Sequence, residues 1–241
     1  MMIKVTTYHS VKREIFINAK PEKVWKALTI GEERNKWETK SCKIELKVGG
    51  KFTADYGWGV AHSATIVEIV ENKRLIMEDE NNGKTIWTVT PQNNGSLVTL
   101  EFNGLWTGDL GMMEMENSSF GQYQFMRNMK SVIENKEDIR HLFWNSWIGM
   151  QHKTIVQEGI KAREIVKIVP NTPADGVLRV GDVITSVNEQ TVTTYDDLER
   201  VITETIPQQE IKLTLKRDDK TKDVYLLTVP YGSTKSPTPS K

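Results

Sequence analysis

Apolar and polar residues alternate with a period of two along much of the first hundred residues. In one run, Cys42, Ile44 and Leu46 share one side, and charged residues occupy the other. Alternation of this kind predicts strands that bury one face of a sheet. The predicted strands cover residues 11–19, 42–48, 51–58, 63–70, 74–79, 85–90 and 97–105. The Asn-Asn-Gly sequences that end at Gly83 and Gly95 predict tight turns between neighbouring strands.

Two stretches have a helical pattern instead, one within the alternating region and one after it. Pro21 suits the first position of a helix, Glu22 suits the positive end of the helix dipole, and a second short helical piece leads to Trp37. After Gly111 the period becomes helical, with an apolar stripe formed by Phe125, Met129, Val132 and Ile133. The order of strand, two helices, about six antiparallel strands and long helix predicts an α+β fold. In such a fold a curved sheet buries one face against the last helix.

The composition changes near residue 140. All seven Trp residues lie at or before Trp147, whereas Gly-Asp, Pro-Ala and β-branched runs dominate afterwards. A charged run, Glu134-Asn135-Lys136-Glu137-Asp138, separates the two regions. We therefore expect one domain over residues 1–136 and a second over residues 139–232. Residues 233–241 consist of Ser, Pro, Thr and Lys, and this composition predicts a disordered tail.

The first region carries a recognisable sequence at its first helix. Residues 17–28 read Ile-Asn-Ala-Lys-Pro-Glu-Lys-Val-Trp-Lys-Ala-Leu, and Val-Gly-Gly-Lys-Phe at residues 48–52 follows Trp37. Over residues 11–134 the chain resembles the START-like (SRPBCC, Bet v 1-like) superfamily, and within it the branch named for the activator of heat-shock-protein ATPase homologues. The resemblance implies a helix-grip fold, in which a curved antiparallel sheet surrounds a long C-terminal helix and leaves a cavity for an apolar ligand.

Aromatic side chains are the candidates for the lining of that cavity. They are Phe52, Tyr56, Trp58, Trp87, Phe102, Trp106 and Phe120. These rings either stack against a small apolar ligand or simply fill the core of the domain. Some members of the superfamily are cyclases or dehydratases, which need a general acid or base in the cavity. The available groups are His62, Asp55, Glu78 and Glu101, and the alternating pattern favours solvated positions for most of them.

The second region contains a more specific motif. Residues 164–188 include Pro-Asn-Thr-Pro-Ala, then Leu-Arg-Val-Gly-Asp-Val-Ile, and end in Val-Asn. They resemble the PDZ domains of bacterial HtrA-type and Lon-like secreted proteases, which implies a partly open β-barrel with two short helices. In that fold Pro173 presets φ for a short helix, and Gly181 allows a tight turn in which Asp182 accepts backbone N–H bonds.

A PDZ domain binds a peptide between one sheet edge and a helix, with the peptide carboxylate on backbone N–H groups. The resemblance implies that Trp147-Ile148-Gly149-Met150 is the carboxylate loop, followed by an edge strand over residues 151–156. It also implies a facing helix over residues 195–205. The peptide-binding candidates are Trp147, Ile148, Gly149, Met150, His152, Leu198, Val201 and Ile202. Arg140 is either a positive charge near the carboxylate or a solvent-exposed residue.

The three apolar candidates of the facing helix predict the chemistry of the partner. Leu198, Val201 and Ile202 lie at positions i, i+3 and i+4, so they share one face of the helix. Some of them belong to the core, and one or two are expected to shape the pocket for the last side chain of the peptide. The expected partner is therefore a protein with an apolar C-terminus, ending in an aliphatic or aromatic residue.

The net charge and the few reactive residues argue against several classes of function. The chain has 32 basic and 32 acidic residues, a balance that argues against nucleic-acid binding and gives no attraction to anionic membranes. The single cysteine, Cys42, excludes an internal disulfide, and its strand pattern predicts a buried position. The four His residues lack metal-ligand spacing, so we expect no metal and no cofactor. The first ten residues have no apolar run typical of a signal peptide, and we expect a cytoplasmic protein.

Together these features predict a non-catalytic, two-domain binding or adaptor protein. The first domain would hold a small apolar ligand or a protein surface, and the second a partner's C-terminal peptide or an internal β-hairpin. No protease triad is evident in the sequence. Two alternatives stay open at this point: a cyclase-like or dehydratase-like enzyme with a PDZ targeting module, and a chaperone-associated interaction protein.

Overall fold

Seven strands from the first half of the chain form one sheet in the computed structural model, which describes residues 6–157 and 159–234. They are β1 (Thr7–Ile17), β2 (Ser41–Ile44), β3 (Lys51–Asp55), β4 (Ala61–Val70), β5 (Arg74–Glu78), β6 (Lys84–Gln92) and β7 (Gly95–Thr107). The order across the sheet is β1-β7-β6-β5-β4-β3-β2, and the neighbours from β7 to β2 pair antiparallel. Phe52 and Ala54 of β3 are buried, while Lys51, Thr53 and Asp55 are exposed, as the alternation predicts.

Three helices accompany this sheet: α1 (Pro21–Thr29), α2 (Gly31–Asn35) and α3 (Gly108–Asn135). The second half of α3 packs against the sheet, where Met126 and Met129 are fully buried. Asn128 donates to the Trp37 carbonyl over 2.8 Å, and Lys130 donates to the Phe16 carbonyl over 2.7 Å. The predicted α+β class, with a curved antiparallel sheet followed by a long helix, is confirmed.

The strand predicted over residues 42–48 is shorter in the structure, since β2 ends at Ile44. After that point Lys47 donates to the Glu45 carbonyl over 2.7 Å, and Gly50 donates to the Lys47 carbonyl over 2.9 Å. These bonds close a tight turn, which takes the backbone out of the sheet before Val48. Leu46 and Val48 are consequently exposed despite their place in the alternating pattern.

Residue contacts divide the chain into two units. The sheet unit combines Thr7–Leu105 with Gly121–Arg140. The barrel unit combines Thr6 and Trp106–Phe120 with the described residues from His141 onward. The division falls inside α3, so the first half of this helix groups with the barrel unit and the second half with the sheet unit. The domain boundaries predicted near residues 136 and 139 stay predictions, and most of the predicted tail, residues 235–241, lies outside the described residues.

The barrel unit is rich in strands. It contains β8 (Ser146–Trp147), β9 (Met150–Gln157), β10 (Ile160–Ile168), β11 (Val183–Val187), β12 (Gln190–Thr191), β13 (Glu210–Arg217), β14 (Lys220–Leu227), β15 (Val229–Pro230) and the helix α4 (Tyr195–Glu204). Its main sheet has the order β14-β13-β11-β10-β9, so β9 is an edge strand as predicted, and β15 pairs with β8 separately. The short helix predicted after Pro173 is a single turn, in which Leu178 donates to the Ala174 carbonyl over 2.9 Å.

The Gly-Asp turn of the motif has the role that the resemblance implies. Asp182 accepts the backbone N–H of Arg179 over 2.9 Å, and it also accepts two bonds from Arg217 over 2.7 and 2.6 Å. Burial alone would raise the pKa of Asp182, but the bonds from Arg217 and Arg179 outweigh it and hold the pKa below its usual range. The motif residue therefore joins its own turn to the end of β13, a link that the motif alone does not reveal.

Candidate functional site

The candidate peptide groove lies between the edge strand β9 and the helix α4. The helix begins with a capping box, in which the Thr194 hydroxyl accepts from the Asp197 N–H and the Asp197 carboxylate accepts from the Thr194 N–H. Such a cap fixes the start of the helix. Leu198 and Ile202 are buried in the apolar core of the barrel unit, and Val201 packs against that core from a partly buried position. This anchoring sets the position of α4 along β9.

The loop before β9 directs its carbonyl oxygens to one side. The Ile148 carbonyl accepts from the Ala174 N–H over 2.9 Å, and the Gly149 carbonyl accepts from the Val169 N–H over 2.8 Å. In a trans, planar peptide unit the N–H points opposite to the C=O. The N–H groups of Gly149 and Met150 are therefore directed away from the 169–174 loop. Neighbouring backbone N–H groups with one orientation are a suitable binding place for an anion such as a carboxylate.

The structure gives a reason for glycine at position 149 that the sequence does not show. Its φ is +81°, a left-handed conformation that favours glycine. A Cβ at this position would overlap the side chain of Thr172, which belongs to the Pro-Asn-Thr-Pro-Ala motif. Thr172 itself is fully buried and donates to the Val169 carbonyl over 2.6 Å. The missing side chain thus lets the loop pack against the motif, in addition to the predicted access for a carboxylate.

His152 lies beneath the first turn of α4 instead of standing open to the groove. Its ring is fully buried and stacks on the Tyr195 ring, with 4.3 Å between centroids. Nε2 of His152 lies 3.1 Å from the Glu199 carboxylate, which connects β9 with α4. Burial is the main cause that raises the pKa of Tyr195 well above its usual value, so this phenol stays neutral.

A small pocket of about 60 Å³ remains at the loop end of the groove. Its walls are Met113, Asn117, Trp147, Ile148, Met150, Gln151, Tyr195, Glu199, Ile202 and Tyr231. Four of these were predicted from the sequence: Trp147, Ile148, Met150 and Ile202. Helical spacing contains a signal for two others, because Tyr195, Glu199 and Ile202 follow one another at i, i+4 and i+7. Met113 and Asn117 come from the first half of α3, which the PDZ motif does not include.

Arg140 belongs to the sheet unit. Its guanidinium donates to the Asp138 carboxylate over 2.6 Å and to the carbonyl oxygens of Thr39 and Asn35 over 3.1 and 3.2 Å. These bonds fix the side chain within its own unit. The sequence prediction that it supplies charge to a peptide carboxylate stays a prediction.

The seven aromatic residues that were predicted to line a cavity lie in three separate places. Phe52 and Trp87 are fully buried around the guanidinium of Arg34, which lies 4.8 and 5.7 Å from their ring centroids. Tyr56 and Trp58 form a cluster with Phe125 of α3. Phe102 lies half-buried on β7, whereas Trp106 and Phe120 group with the barrel unit, where Phe120 contacts the Tyr195 ring.

Arg34 is the centre of the buried rings and was not among the predicted residues. It forms an ion pair with Glu38, and both side chains are 2% exposed. Burial alone would lower the pKa of Arg34, but the charge of Glu38 outweighs it and keeps the pKa above the ordinary value. The Glu38 charge, followed by burial, raises the pKa of the Tyr56 phenol far above its usual range. The site therefore combines a buried Arg34–Glu38 ion pair with the Tyr56 phenol beside it.

The other reactive candidates are dispersed. Cys42 is half-buried, and burial is the main cause that raises the pKa of its thiol to about 11, so it is a poor nucleophile at neutral pH. His62 and Glu78 line an open cleft beside Lys51, while Asp55 is exposed at the end of β3. Within residues 6–157 and 159–234, no cluster of three or more His, Cys, Asp or Glu side chains is placed to hold a metal ion.

Comparisons with protein families give one match for each region of the chain. Residues 18–134 match the family described as "Activator of Hsp90 ATPase homolog 1-like protein", and residues 133–228 match the family described as "PDZ domain". The recognition of an activator-like domain followed by a PDZ domain is confirmed. These two domains indicate a binding or adaptor protein, and the PDZ domain indicates a peptide or protein partner. No helix of the described residues has the length and apolar character needed to span a membrane.

Two solved structures are similar to about half of this chain at low sequence identity. The protein SSP2350 from Staphylococcus saprophyticus is 14% identical, with a TM-score of 0.50, and the match covers 54% of this chain and 96% of that chain. The Aha1 dimer from Colwellia psychrerythraea is 19% identical, with a TM-score of 0.48, and the match covers 53% of this chain and 98% of that chain. The comparison with curated proteins gives no match.

Proposed function

We propose that the barrel unit binds the free C-terminus of a protein partner whose last residue is apolar. The observation that carries this proposal is the position of two N–H groups beside a small pocket that has apolar side chains in its walls. The N–H groups of Gly149 and Met150 share one orientation, and Ile148, Met150 and Ile202 form apolar walls of the pocket at the same loop. A terminal carboxylate would accept from the N–H groups while the last side chain enters the pocket.

The test compares short peptide pools that share a C-terminal valine and differ only in the terminal group. We expect the pool with a free carboxylate to bind at least about tenfold more tightly than the amidated pool, because a bond to a charged group contributes about 1.5–3 kcal/mol. Fluorescence anisotropy with the full chain measures both affinities. A free-carboxylate pool that ends in aspartate is the control for the preference for an apolar last residue. Equal affinity of the acid and amide pools contradicts carboxylate recognition.

For the sheet unit we propose a protein surface as the ligand, in preference to an enclosed small apolar molecule. The guanidinium of Arg34 lies beside the rings of Phe52 and Trp87 and occupies the space that an apolar ligand would need there. Trp58, by contrast, stacks on Phe125 and is 57% exposed, so part of its apolar surface is accessible to a partner. Native mass spectrometry of the purified chain should therefore give the mass of the polypeptide alone, whereas a co-purifying apolar molecule at one per chain contradicts this proposal.

A further inference from the structure

The groove between β9 and α4 already has a neighbour from the same chain. The first half of α3, residues 108–120, groups with the barrel unit and contacts β9 through its acidic side chains. Glu116 accepts the backbone N–H of Thr154 over 2.7 Å and also the Thr154 hydroxyl. Asp109 accepts from the Lys153 ammonium over 2.5 Å. On the other side of the groove, the Tyr195 hydroxyl donates to the Asn117 side chain over 3.3 Å. Helix α3 therefore contacts both elements that would hold a peptide.

The hydrogen bond from the Thr154 N–H to Glu116 lies on the edge strand of the sheet, β9. On its inner side β9 pairs with β10, with Thr154 opposite Arg163. The N–H groups of a strand point alternately to its two sides, so an N–H that bonds to Glu116 is one of those directed away from β10. A peptide that joins the sheet as an additional strand needs these outward groups. The Glu116 carboxylate occupies one of the hydrogen-bond positions that such a peptide would use.

A buried positive charge favours this position of Glu116. Arg163 is fully buried, and its guanidinium lies 3.9 Å from the Glu116 carboxylate. Arg163 also donates to the Thr154 hydroxyl and, over 2.9 Å, to the Thr193 carbonyl. Burial lowers the pKa of Arg163, and the Glu116 charge is the largest influence that opposes this shift. Removing Glu116 from the edge would leave Arg163 without that compensation, so the helix is held there by charge as well as by hydrogen bonds.

We propose that the first half of α3 is an internal ligand of the peptide groove, which a partner peptide must displace from β9. This inference rests on the proposed peptide binding. The small pocket at the carboxylate loop is walled by Met113 and Asn117 of the same helix, so even the last residue of a peptide meets α3. When only a fraction of molecules has an open groove, the apparent affinity for peptide falls by that fraction. Weakening the contact of α3 should therefore tighten peptide binding.

The experiment replaces Glu116 by alanine and uses Glu114→Ala as the matched control. Both residues lie on α3, but Glu114 is exposed, whereas Glu116 contacts Thr154. Two quantities are measured in the full chain: the hydrogen exchange rate of the Thr154 amide by NMR, and the affinity for the valine-ended peptide pool by fluorescence anisotropy. We expect E116A to speed exchange at Thr154 and to tighten peptide binding about tenfold, while E114A changes neither. Asn117→Ala, which removes the partner of the Tyr195 hydroxyl, should shift affinity in the same direction.

The outcomes separate this inference from the proposed function. Measurable peptide binding that is equal in the wild-type chain, E116A and N117A leaves the function in place and overturns the internal ligand. Binding by neither the wild type nor the variants overturns the proposed function, and the Thr154 exchange rate then decides alone whether α3 occupies the edge. An amide at Thr154 that exchanges as fast in the wild type as in E116A overturns the occupancy. If E116A lowers thermal stability, two other measurements test the same displacement. They are the peptide affinity of N117A and the change in hydrogen exchange that peptide causes within residues 108–120 of the wild type.

Discussion

Replacing Arg34 by methionine is expected to lower the free energy of unfolding of the sheet unit by about 3–5 kcal/mol. The reason is the carboxylate that stays behind. Arg34 and Glu38 are both buried, and Arg34 also donates to the Leu28 carbonyl over 3.1 Å. Without the guanidinium, the Glu38 charge would remain in an apolar surrounding with no positive partner. The substitution also removes the cation that lies beside the rings of Trp37, Phe52 and Trp87.

Urea denaturation followed by the NMR signal of the Trp37 indole measures this loss, because that indole donates to the Ala27 carbonyl inside the sheet unit. Lys36→Met is the matched control. Lys36 pairs with Glu33 over 2.6 Å on the same segment, but both side chains are exposed, so the change should stay below about 1 kcal/mol. The double variant Arg34→Met with Glu38→Leu should recover much of the lost stability, because it removes both charges. Equal, small effects of R34M and K36M would contradict a structural role of the buried pair.

The strands of the sheet unit were predictable because burial of one face imposes a period of two on the sequence. The rule holds where strands pair along their length, as in β3, and fails where local bonds take precedence. The residues after Ile44 follow the same alternation, yet their backbone bonds close a turn before Gly50. Alternation reports which side chains favour burial, whereas the length of a strand depends on where the chain finds hydrogen-bond partners.

The buried ion pair was not predictable from its spacing. Arg34 and Glu38 lie at i and i+4, a separation that on most helices indicates an exposed pair. Their burial depends on Trp37, Phe52 and Trp87, which come from three separate parts of the chain. The charge and periodicity of one segment therefore do not predict which distant side chains will surround it.

The peptide groove was predictable in part for a similar reason. A local motif identified the fold, and the four residues from Trp147 to Met150, which lead into β9, could be placed by their distance from it. The contacts of Glu116 and Asn117 with the groove join residues 38 and 78 positions apart in the sequence. The helical periodicity of α3 predicts which of its residues form an apolar stripe. It does not predict which part of the protein its polar residues contact.

Replacing Gly149 by alanine is expected to destabilise the barrel unit by about 2–5 kcal/mol and to abolish peptide binding. A left-handed backbone costs a residue with a Cβ about 1–2 kcal/mol. The overlap with Thr172 adds a packing cost of about 1–3 kcal/mol, because this neighbour is fully buried and held by its own hydrogen bond. Relief of the overlap would move the loop and turn the N–H groups of Gly149 and Met150 away from a carboxylate.

Gly176→Ala separates the two causes. Gly176 has a φ of +78°, but among the described residues no atom beyond Gly176 and its two chain neighbours lies within 4 Å of the place that its Cβ would take. This control should lose only about 1–2 kcal/mol and keep its affinity for the valine-ended peptide pool. In a Thr172→Gly background the added cost of G149A should fall toward that of G176A, since the overlapping side chain is absent. Thermal unfolding and fluorescence anisotropy measure both effects. Full peptide affinity in G149A would show that the loop tolerates the extra methyl group, and the carboxylate site would then have to lie elsewhere along β9.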